Sequence, residues 1–197
     1  MKALRIVLWA LVALSIVAIG FLLLRQSQPM PGRTVPTQVN FGGPFTLVGT
    51  DGKAFGSAQL AGNPYAIFFG FTHCPDVCPT TLSRMVRLRK QLAAGDEPFR
   101  IVFVSVDPER DHPKELASYV SLFGSPVVGL TGSDAQVAQV KKQFGIFSEK
   151  VPDESGGYTV DHTATVLLFD RNGKFVSTIS PEENDSAALD KLKRITA

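Results

Sequence analysis

Three stretches with different patterns of hydrophobic and polar residues follow one another along the chain. From Ile6 to Leu24, nineteen residues run with one Ser and one Gly as the only breaks among apolar side chains. A helix of that length spans roughly 28 Å, which is close to the hydrocarbon thickness of a bilayer. Residues 25–40 are rich in Pro and polar side chains and have no periodicity, which predicts a flexible, extended linker. A globular pattern begins at Phe41.

The globular stretch alternates short apolar runs with segments of helical periodicity. Continuous apolar runs at 65–71 and 100–106 predict strands that are buried on both faces. Turn signals at 51–52 and 171–173 predict hairpins. Further strands are predicted at 45–48, 127–130, 164–169 and 174–179, and helices at about 80–94, 113–123, 134–144 and 188–195. This order predicts an α/β, thioredoxin-like fold in which helices flank a central mixed sheet.

The flanks of the long apolar run predict how the chain sits in a membrane. Two cations precede the run, which favours a cytoplasmic N-terminus. The run exceeds the roughly 7–15 apolar residues of a signal peptide and no small-x-small cleavage site follows, so an anchor is favoured over a cleaved signal. The lack of an Arg- and Ser-rich presequence favours a bacterial inner membrane. We expect a cytoplasmic stub (1–5), a single transmembrane anchor (6–24), a linker (25–40) and a domain that faces the periplasm (41–197).

The charge balance argues against one class of partner. Lys and Arg number 20 against 18 for Asp and Glu, so the formal net charge is +2. Four of the cations precede residue 41, which leaves the globular stretch slightly acidic. It has no basic stripe interleaved with aromatic side chains, so nucleic-acid binding is not expected.

Two cysteines, Cys74 and Cys78, stand at the junction between the strand predicted at 65–71 and the helix that follows. A disulfide between them would close a very small loop and add little stability. The pair is therefore more readily explained by a chemical role than by a structural disulfide. The start of a helix stabilises thiolates, and thiolates are soft donors that favour Cu(I) or Zn. Two donors leave such a site incomplete, so a third ligand is needed.

The third ligand must come from three histidines. His73 is the neighbour of Cys74 and is expected to point away from it. His112 precedes Pro113 at the start of a predicted helix, where a solvated turn residue is the simple interpretation. His162 comes immediately before the strand predicted at 164–169, and in a thioredoxin-like fold that loop faces the cysteine loop. We therefore predict a Cys₂His site that leaves one coordination position for exchange.

Two acidic residues near the predicted site have two interpretations each. Asp76 lies between the cysteines, and Asp107 follows the strand predicted at 100–106. They could tune the metal or orient its ligands through hydrogen bonds. They could equally be a turn-favouring Asp and an Asp at a strand end.

Four motifs resemble the SCO/SenC family: GGPFTL (42–47), GFTHCPDVCPTTL (70–82), VSVDPERD (104–111) and VDHT (160–163). The resemblance extends over essentially the whole domain, and the anchor lies in the same place. It implies that Cys74, Cys78 and His162 bind copper, as Cu(I), Cu(II) or both. It further implies a metallochaperone that helps to metallate the binuclear copper centre of cytochrome c oxidase subunit II. His112 departs from the family, which commonly has Thr there.

The main alternative function is enzymatic. Cys74 and Cys78 would form the redox pair of a thiol-disulfide oxidoreductase that keeps an acceptor's cysteines reduced. The CxxxC spacing, in place of CxxC, and a histidine where a cis-proline is usual argue against it. His162 discriminates the two functions, because copper binding needs it and disulfide exchange does not. A copper-sensing role is a third possibility, and we expect a chaperone rather than an enzyme.

Overall fold

A computed structural model describes Trp9, Leu14 and residues 18–21, 41–92, 98–153 and 156–197. The chain divides into two compact units, Met1–Val39 and Asn40–Ala197. Trp9, Leu14 and residues 18–21 are helical, but most of the anchor predicted at 6–24 and most of the linker lie outside the described residues. Across the described part of the chain, no helix is both long and apolar enough to span a bilayer.

A seven-stranded mixed sheet forms the frame of the second unit, and two further strands form a separate ribbon. The strands are β1 Thr46–Gly49, β2 Ala54–Gly56, β3 Tyr65–Gly70, β4 Arg100–Ser105, β5 Val128–Thr131, β6 Ser148–Pro152, β7 Tyr158–His162, β8 Val166–Phe169 and β9 Phe175–Ile179. The strand order of the sheet is β2-β1-β5-β4-β3-β8-β9, and β6 pairs with β7 in the ribbon. The central strands β3, β4 and β5 are parallel, and the outer pairs are antiparallel.

Four helices and one short 3-10 helix, Ser57–Leu60, accompany these strands in the described residues of the second unit. The third helix begins with a capping box between Ser133 and Gln136. It ends at Gly145, whose φ of 65° suits the left-handed turn that closes a helix. The helices are α1 Val77–Leu92, α2 Pro113–Ser121, α3 Asp134–Phe144 and α4 Asp185–Thr196.

The middle of the sheet is the most deeply buried part of the fold. All six residues of β3 are buried, as its uninterrupted apolar sequence predicts for a strand covered on both faces. Phe144 of α3 packs with Phe69 and Phe169 at ring-centroid distances of 5.5 and 5.7 Å. The predicted mixed sheet flanked by helices is confirmed. The carboxyl end of β3 leads directly into the loop that contains Cys74.

The structure differs from the sequence predictions in two places that matter for the site. Helix α1 begins at Val77, three residues before its predicted start at residue 80, so Cys78 lies within the first turn. The β6–β7 ribbon was not predicted, and it makes His162 the last residue of a strand rather than part of a loop. Elsewhere, the ends of the predicted elements shift by one to a few residues.

Candidate metal centre

Three structural elements bring together the predicted ligands. Cys74 lies in the loop after β3, Cys78 in the first turn of α1, and His162 at the end of β7. One ligand atom from each side chain falls in a group whose members all lie within 4.8 Å of one another. The strand-to-helix junction and the separate ribbon therefore meet at the carboxyl end of β3, where ligand sites of open α/β sheets occur.

The distances within the group suit a small metal ion. Cys78 Sγ lies 3.4 Å from His162 Nε2, and no two of the three ligand atoms are more than 4.8 Å apart. Sulfur and nitrogen ligands at about 2.0–2.3 Å from a central ion are separated by roughly 3.4–4.0 Å in a trigonal arrangement. The three side chains can thus close around one ion with small adjustments.

Gly70, the last residue of β3, makes room for the buried thiol. A Cβ at this position would lie 2.6 Å from Cys78 Sγ and 2.8 Å from the ring of Phe103. Real Cβ atoms do not approach other atoms so closely, and the packed sheet gives those neighbours little space to move. The glycine is therefore a requirement of the site, imposed by close approach of a side chain to the backbone.

The ring of His162 is fixed so that one nitrogen faces the cysteines. Its Nδ1 lies 3.1 Å from the carbonyl oxygen of Thr163, which can only accept a hydrogen bond, so Nδ1 carries the proton. In the neutral ring this leaves Nε2, the nitrogen that faces the cysteines, as the one that can bind a metal. Phe68 and Phe71 pack edge-on against the ring at centroid distances of 6.0 and 5.8 Å.

The two thiols differ in protonation and in access. A hydrogen bond from the Cys78 side chain is the main cause that lowers the pKa of Cys74 to about 4. The same hydrogen bond, together with burial, raises the pKa of Cys78. Cys78 is fully buried, whereas Cys74 and His162 are partly exposed. At neutral pH the pair therefore holds one thiolate at the surface and one thiol beneath it, ready to exchange a proton for a soft metal ion.

Comparison with known proteins places this arrangement in a family. A family model described as SCO1/SenC matches residues 33–197. The chain belongs to that family. A SCO2-like protein of Rickettsia felis is 33% identical over 187 residues, which cover 90% of this chain and 91% of the relative. The resemblance predicted from the four sequence motifs is confirmed.

Two solved members of the SCO1/SenC family share the fold. Bradyrhizobium japonicum ScoI, solved with copper bound, is 43% identical with a TM-score of 0.69, and the match covers 79% of this chain and 99% of that chain. BsSco, described as a member of the Sco family of cytochrome c oxidase assembly proteins with a disulfide switch, is 27% identical with a TM-score of 0.63. That match covers 82% of this chain and 96% of BsSco.

One segment, Ser105–Asp111, begins at the last residue of β4 and connects to both halves of the site, and we call it the linking segment. On the cysteine side, Asp111 accepts hydrogen bonds from the backbone N–H of Thr72 at 3.0 Å and from its hydroxyl at 2.6 Å. Ser105 donates a third, at 2.6 Å, to the same fully buried carboxylate. Because Thr72 stands two residues before Cys74, these bonds fix the start of the cysteine loop in this SCO1/SenC domain.

The linking segment also contacts the strand that carries His162. The fully buried Asp107 accepts from Arg110 Nε at 2.5 Å and from the hydroxyl of Tyr158 at 2.9 Å. Arg110 Nη1 donates to the backbone carbonyl of Tyr158 at 2.9 Å. Tyr158 is the first residue of β7 and His162 the last, so both sides of the site are held by one stretch of chain.

The other sequence candidates lie outside the ligand group. Asp76 is exposed, and its carboxylate accepts from the Thr80 hydroxyl at 3.1 Å, as expected for an Asp at the start of a helix. Asp107 contacts Arg110 and Tyr158 rather than a ligand. His73 is exposed and lies against Thr72, and His112 occupies the N-cap position of α2 without a side-chain capping bond.

Sequence reasoning missed Gly70, Arg110, Thr72 and Tyr158. The motifs behind the resemblance include the first three but not Tyr158, and nothing in their spacing showed what these four residues contact. A signal for the ribbon was present, because YTVDH (158–162) alternates large and small side chains after a Gly-Gly turn. The contacts between the linking segment and the ribbon depend on tertiary geometry, which no local pattern encodes.

Proposed function

We propose that this chain is a membrane-anchored copper metallochaperone that delivers copper to the binuclear copper centre of cytochrome c oxidase. The observation that carries the proposal is the meeting of the Cys74, Cys78 and His162 ligand atoms within 4.8 Å of one another at the carboxyl end of β3. Family membership supports it, since B. japonicum ScoI holds copper and BsSco is described among cytochrome c oxidase assembly proteins. Thiolate and imidazole donors suit copper better than hard cations.

The site is suited to releasing copper as well as binding it. The buried Cys78 secures the ion from below, while Cys74 and His162 border solvent. A thiolate of an acceptor can bind on the open side, and the donor ligands can then leave one at a time. Copper keeps its oxidation state throughout this ligand exchange, so the transfer needs no electron donor. Thiolates favour Cu(I), and the imidazole extends the site's affinity to Cu(II).

The anchor gives the transfer its location. We propose that residues 6–24 cross the inner membrane once, with residues 1–5 in the cytoplasm and the domain at 41–197 in the periplasm. The sixteen residues of 25–40 reach at most about 55 Å when fully extended. A domain tethered at that reach stays near a membrane-embedded acceptor, which raises its effective concentration there.

A thiol-disulfide oxidoreductase is the second candidate. One observation favours it: Cys74 combines partial exposure with a lowered pKa of about 4, and the buried Cys78 lies close enough to resolve a mixed disulfide. The disulfide switch described for BsSco supports a redox role for such a pair. The two activities could serve one acceptor in sequence, reduction first and copper second.

The test is copper transfer from the purified full chain, in detergent, to the copper-free, reduced copper domain of oxidase subunit II. We expect the loaded chain to form the binuclear centre, detected by its absorption spectrum, and His162→Ala to fail. Reduction of the oxidised acceptor is measured in parallel without copper. Equal disulfide reduction by wild type and His162→Ala, with no copper transfer by either, would favour the oxidoreductase.

A further inference from the structure

We infer that Arg110 and Tyr158 are positioning residues for His162, and that they set how tightly the site holds copper. This inference rests on the proposed function, because it concerns the same ligand group. It assigns a task to the linking segment beyond folding. The segment brings the histidine to the cysteines by fixing the far end of the strand that carries it.

The fixed point is Asp107, whose side chain is fully buried. One of its carboxylate oxygens accepts from Arg110 Nε at 2.5 Å, and the other accepts from the Tyr158 hydroxyl at 2.9 Å. A buried carboxylate that is paired and hydrogen-bonded on both oxygens has a well-defined geometry, because losing the hydrogen bond to either oxygen would cost folding free energy. Tyr158 is thereby held at its hydroxyl.

Arg110 holds Tyr158 at two further points. Its Nη1 donates to the backbone carbonyl of Tyr158 at 2.9 Å, and its guanidinium carbon lies 3.8 Å from the centroid of the Tyr158 ring. The hydroxyl, the ring face and the backbone of one residue are thus all restrained. Such a residue can neither slide along the strand direction nor rotate about it.

The restraint reaches His162 through the alternation of the strand. Tyr158, Val160 and His162 are two residues apart and therefore share one face of β7. Val160 is 5% exposed, so this face is turned towards the protein interior. When Tyr158 is fixed, His162 has to point the same way, towards Cys78.

The ribbon needs this restraint because it lies outside the main sheet. In the described structure, β7 pairs with β6 and with no strand of the seven-stranded sheet. At the His162 end, Thr163 and Phe147 are joined by two hydrogen bonds, but Phe147 belongs to the same hairpin. Those bonds hold the hairpin together without orienting it. Lys141 Nζ of α3 donates to Ser148 Oγ at 2.6 Å, and Phe68 and Phe71 pack on the His162 ring. The linking segment fixes the opposite end of β7, at Tyr158.

The test compares two variants with a matched control in the purified full chain. Arg110→Gln removes the cation that contacts Asp107 and Tyr158, and Tyr158→Phe removes one hydroxyl and keeps the ring. The control is Tyr119→Phe, because the Tyr119 hydroxyl is buried and has no hydrogen-bond partner among the described residues. Cu(I) affinity is measured by competition with a colorimetric chelator, for each variant in the wild-type and in the His162→Ala background.

We expect Arg110→Gln to weaken Cu(I) binding roughly tenfold, Tyr158→Phe roughly threefold to tenfold, and Tyr119→Phe less than about twofold. In the His162→Ala background, both losses should fall below about twofold, because residues that act through His162 have nothing left to position. If circular dichroism shows that Arg110→Gln does not fold, the comparison between the wild-type and His162→Ala backgrounds rests on Tyr158→Phe alone. Equal losses in both backgrounds, or no loss in either, would overturn the inference.

A second measurement does not depend on copper. In the metal-free chain, backbone amides of 158–162 should exchange with deuterium faster in both variants, while those of 78–90 should remain as in wild type. Unchanged exchange in the ribbon would also overturn the inference. Copper binding that depends on His162 but is indifferent to Arg110 and Tyr158 would leave the proposed function intact, whereas a wild type that binds no copper would remove both.

Discussion

The two halves of the candidate metal centre are built in different ways. Cys74 and Cys78 stand on a junction that continues the fully buried strand β3 into α1, whereas His162 ends a two-stranded ribbon outside the main sheet. The cysteine side therefore shares the rigidity of the core, whereas the histidine side is joined to the core by the polar contacts of the linking segment and by the packing of Phe68 and Phe71 on the His162 ring. Under the proposed function this division would be useful, because the thiolates would retain the ion while the histidine yields to an acceptor.

The largest expected effect comes from disturbing the rigid half. Gly70→Ala places a Cβ 2.6 Å from Cys78 Sγ and 2.8 Å from Phe103, so the thiol or the sheet must move. We expect at least a hundredfold loss of Cu(I) affinity and about 1–3 kcal/mol of lost stability from overpacking. Chelator competition and urea unfolding measure the two.

Gly56→Ala is the matched control, because a Cβ there meets only the Phe45 carbonyl oxygen, at 3.8 Å. This strand glycine should tolerate the methyl group with copper affinity unchanged. If Gly70→Ala binds copper as wild type does, the core does not hold the cysteines rigidly and the contrast between the halves is wrong.

The contacts between the linking segment and the cysteine loop should contribute to folding stability, because they are part of the rigid half. Asp111→Asn keeps the shape but turns an acceptor into a donor where Thr72 and Ser105 supply three donors. We expect unfolding in urea to show about 2–3 kcal/mol of lost stability, the cost of a buried donor without a partner. Asp76→Asn, on an exposed carboxylate at the start of α1, should change stability by less than about 0.5 kcal/mol.

The two thiols should also separate by reactivity in the reduced, metal-free chain. Cys74 is partly exposed with a pKa lowered to about 4, and Cys78 is buried with a raised pKa. Because the lowered pKa keeps Cys74 as thiolate above pH 4, its iodoacetamide reaction should stay nearly constant from pH 8 to about pH 5. An ordinary thiol slows about tenfold per pH unit below its pKa. Mass spectrometry should find Cys74 labelled at least tenfold faster, and preferential labelling of Cys78 would contradict this.

The smallest effect concerns a contact that supports α1 from its outer side. Arg84 and Arg87 of α1 bind Asp185 at 2.9 and 2.5 Å, and hydrogen bonds from Arg87 and then Arg84 lower the pKa of Asp185. A lowered pKa contributes stability above about pH 4 that is lost as the pH falls through the folded-state value.

Asp185→Asn should therefore cost less than about 1 kcal/mol at pH 7, since the carboxylate is partly exposed, and nothing near pH 2. Urea unfolding at both pH values measures this, and copper affinity should not change. A loss of the same size at both pH values would show that the ion pairs contribute nothing.

Much of this centre could be predicted from the sequence because its signals are local. The apolar run of β3, the cysteine pair four residues apart and the apolar strand after His162 each follow from neighbouring residues. The start of α1 at Val77 was missed, because its first turn is stabilised by the sulfur of Cys74 accepting from the Cys78 N–H. The tasks of Arg110 and Tyr158, 48 residues apart, depend on a contact that only the folded chain brings about.

The most direct test of the account is an anaerobic Cu(I) titration of the reduced full chain, beside His162→Ala and Cys78→Ser. We predict about one copper per chain for the wild type, a loss of affinity of about tenfold to a hundredfold for His162→Ala, and near-complete loss for Cys78→Ser. That ranking would show that the core thiolates retain copper and that His162 completes the site as an exchangeable ligand. His162→Ala binding copper as tightly as wild type would contradict the Cys₂His centre on which the proposed function rests.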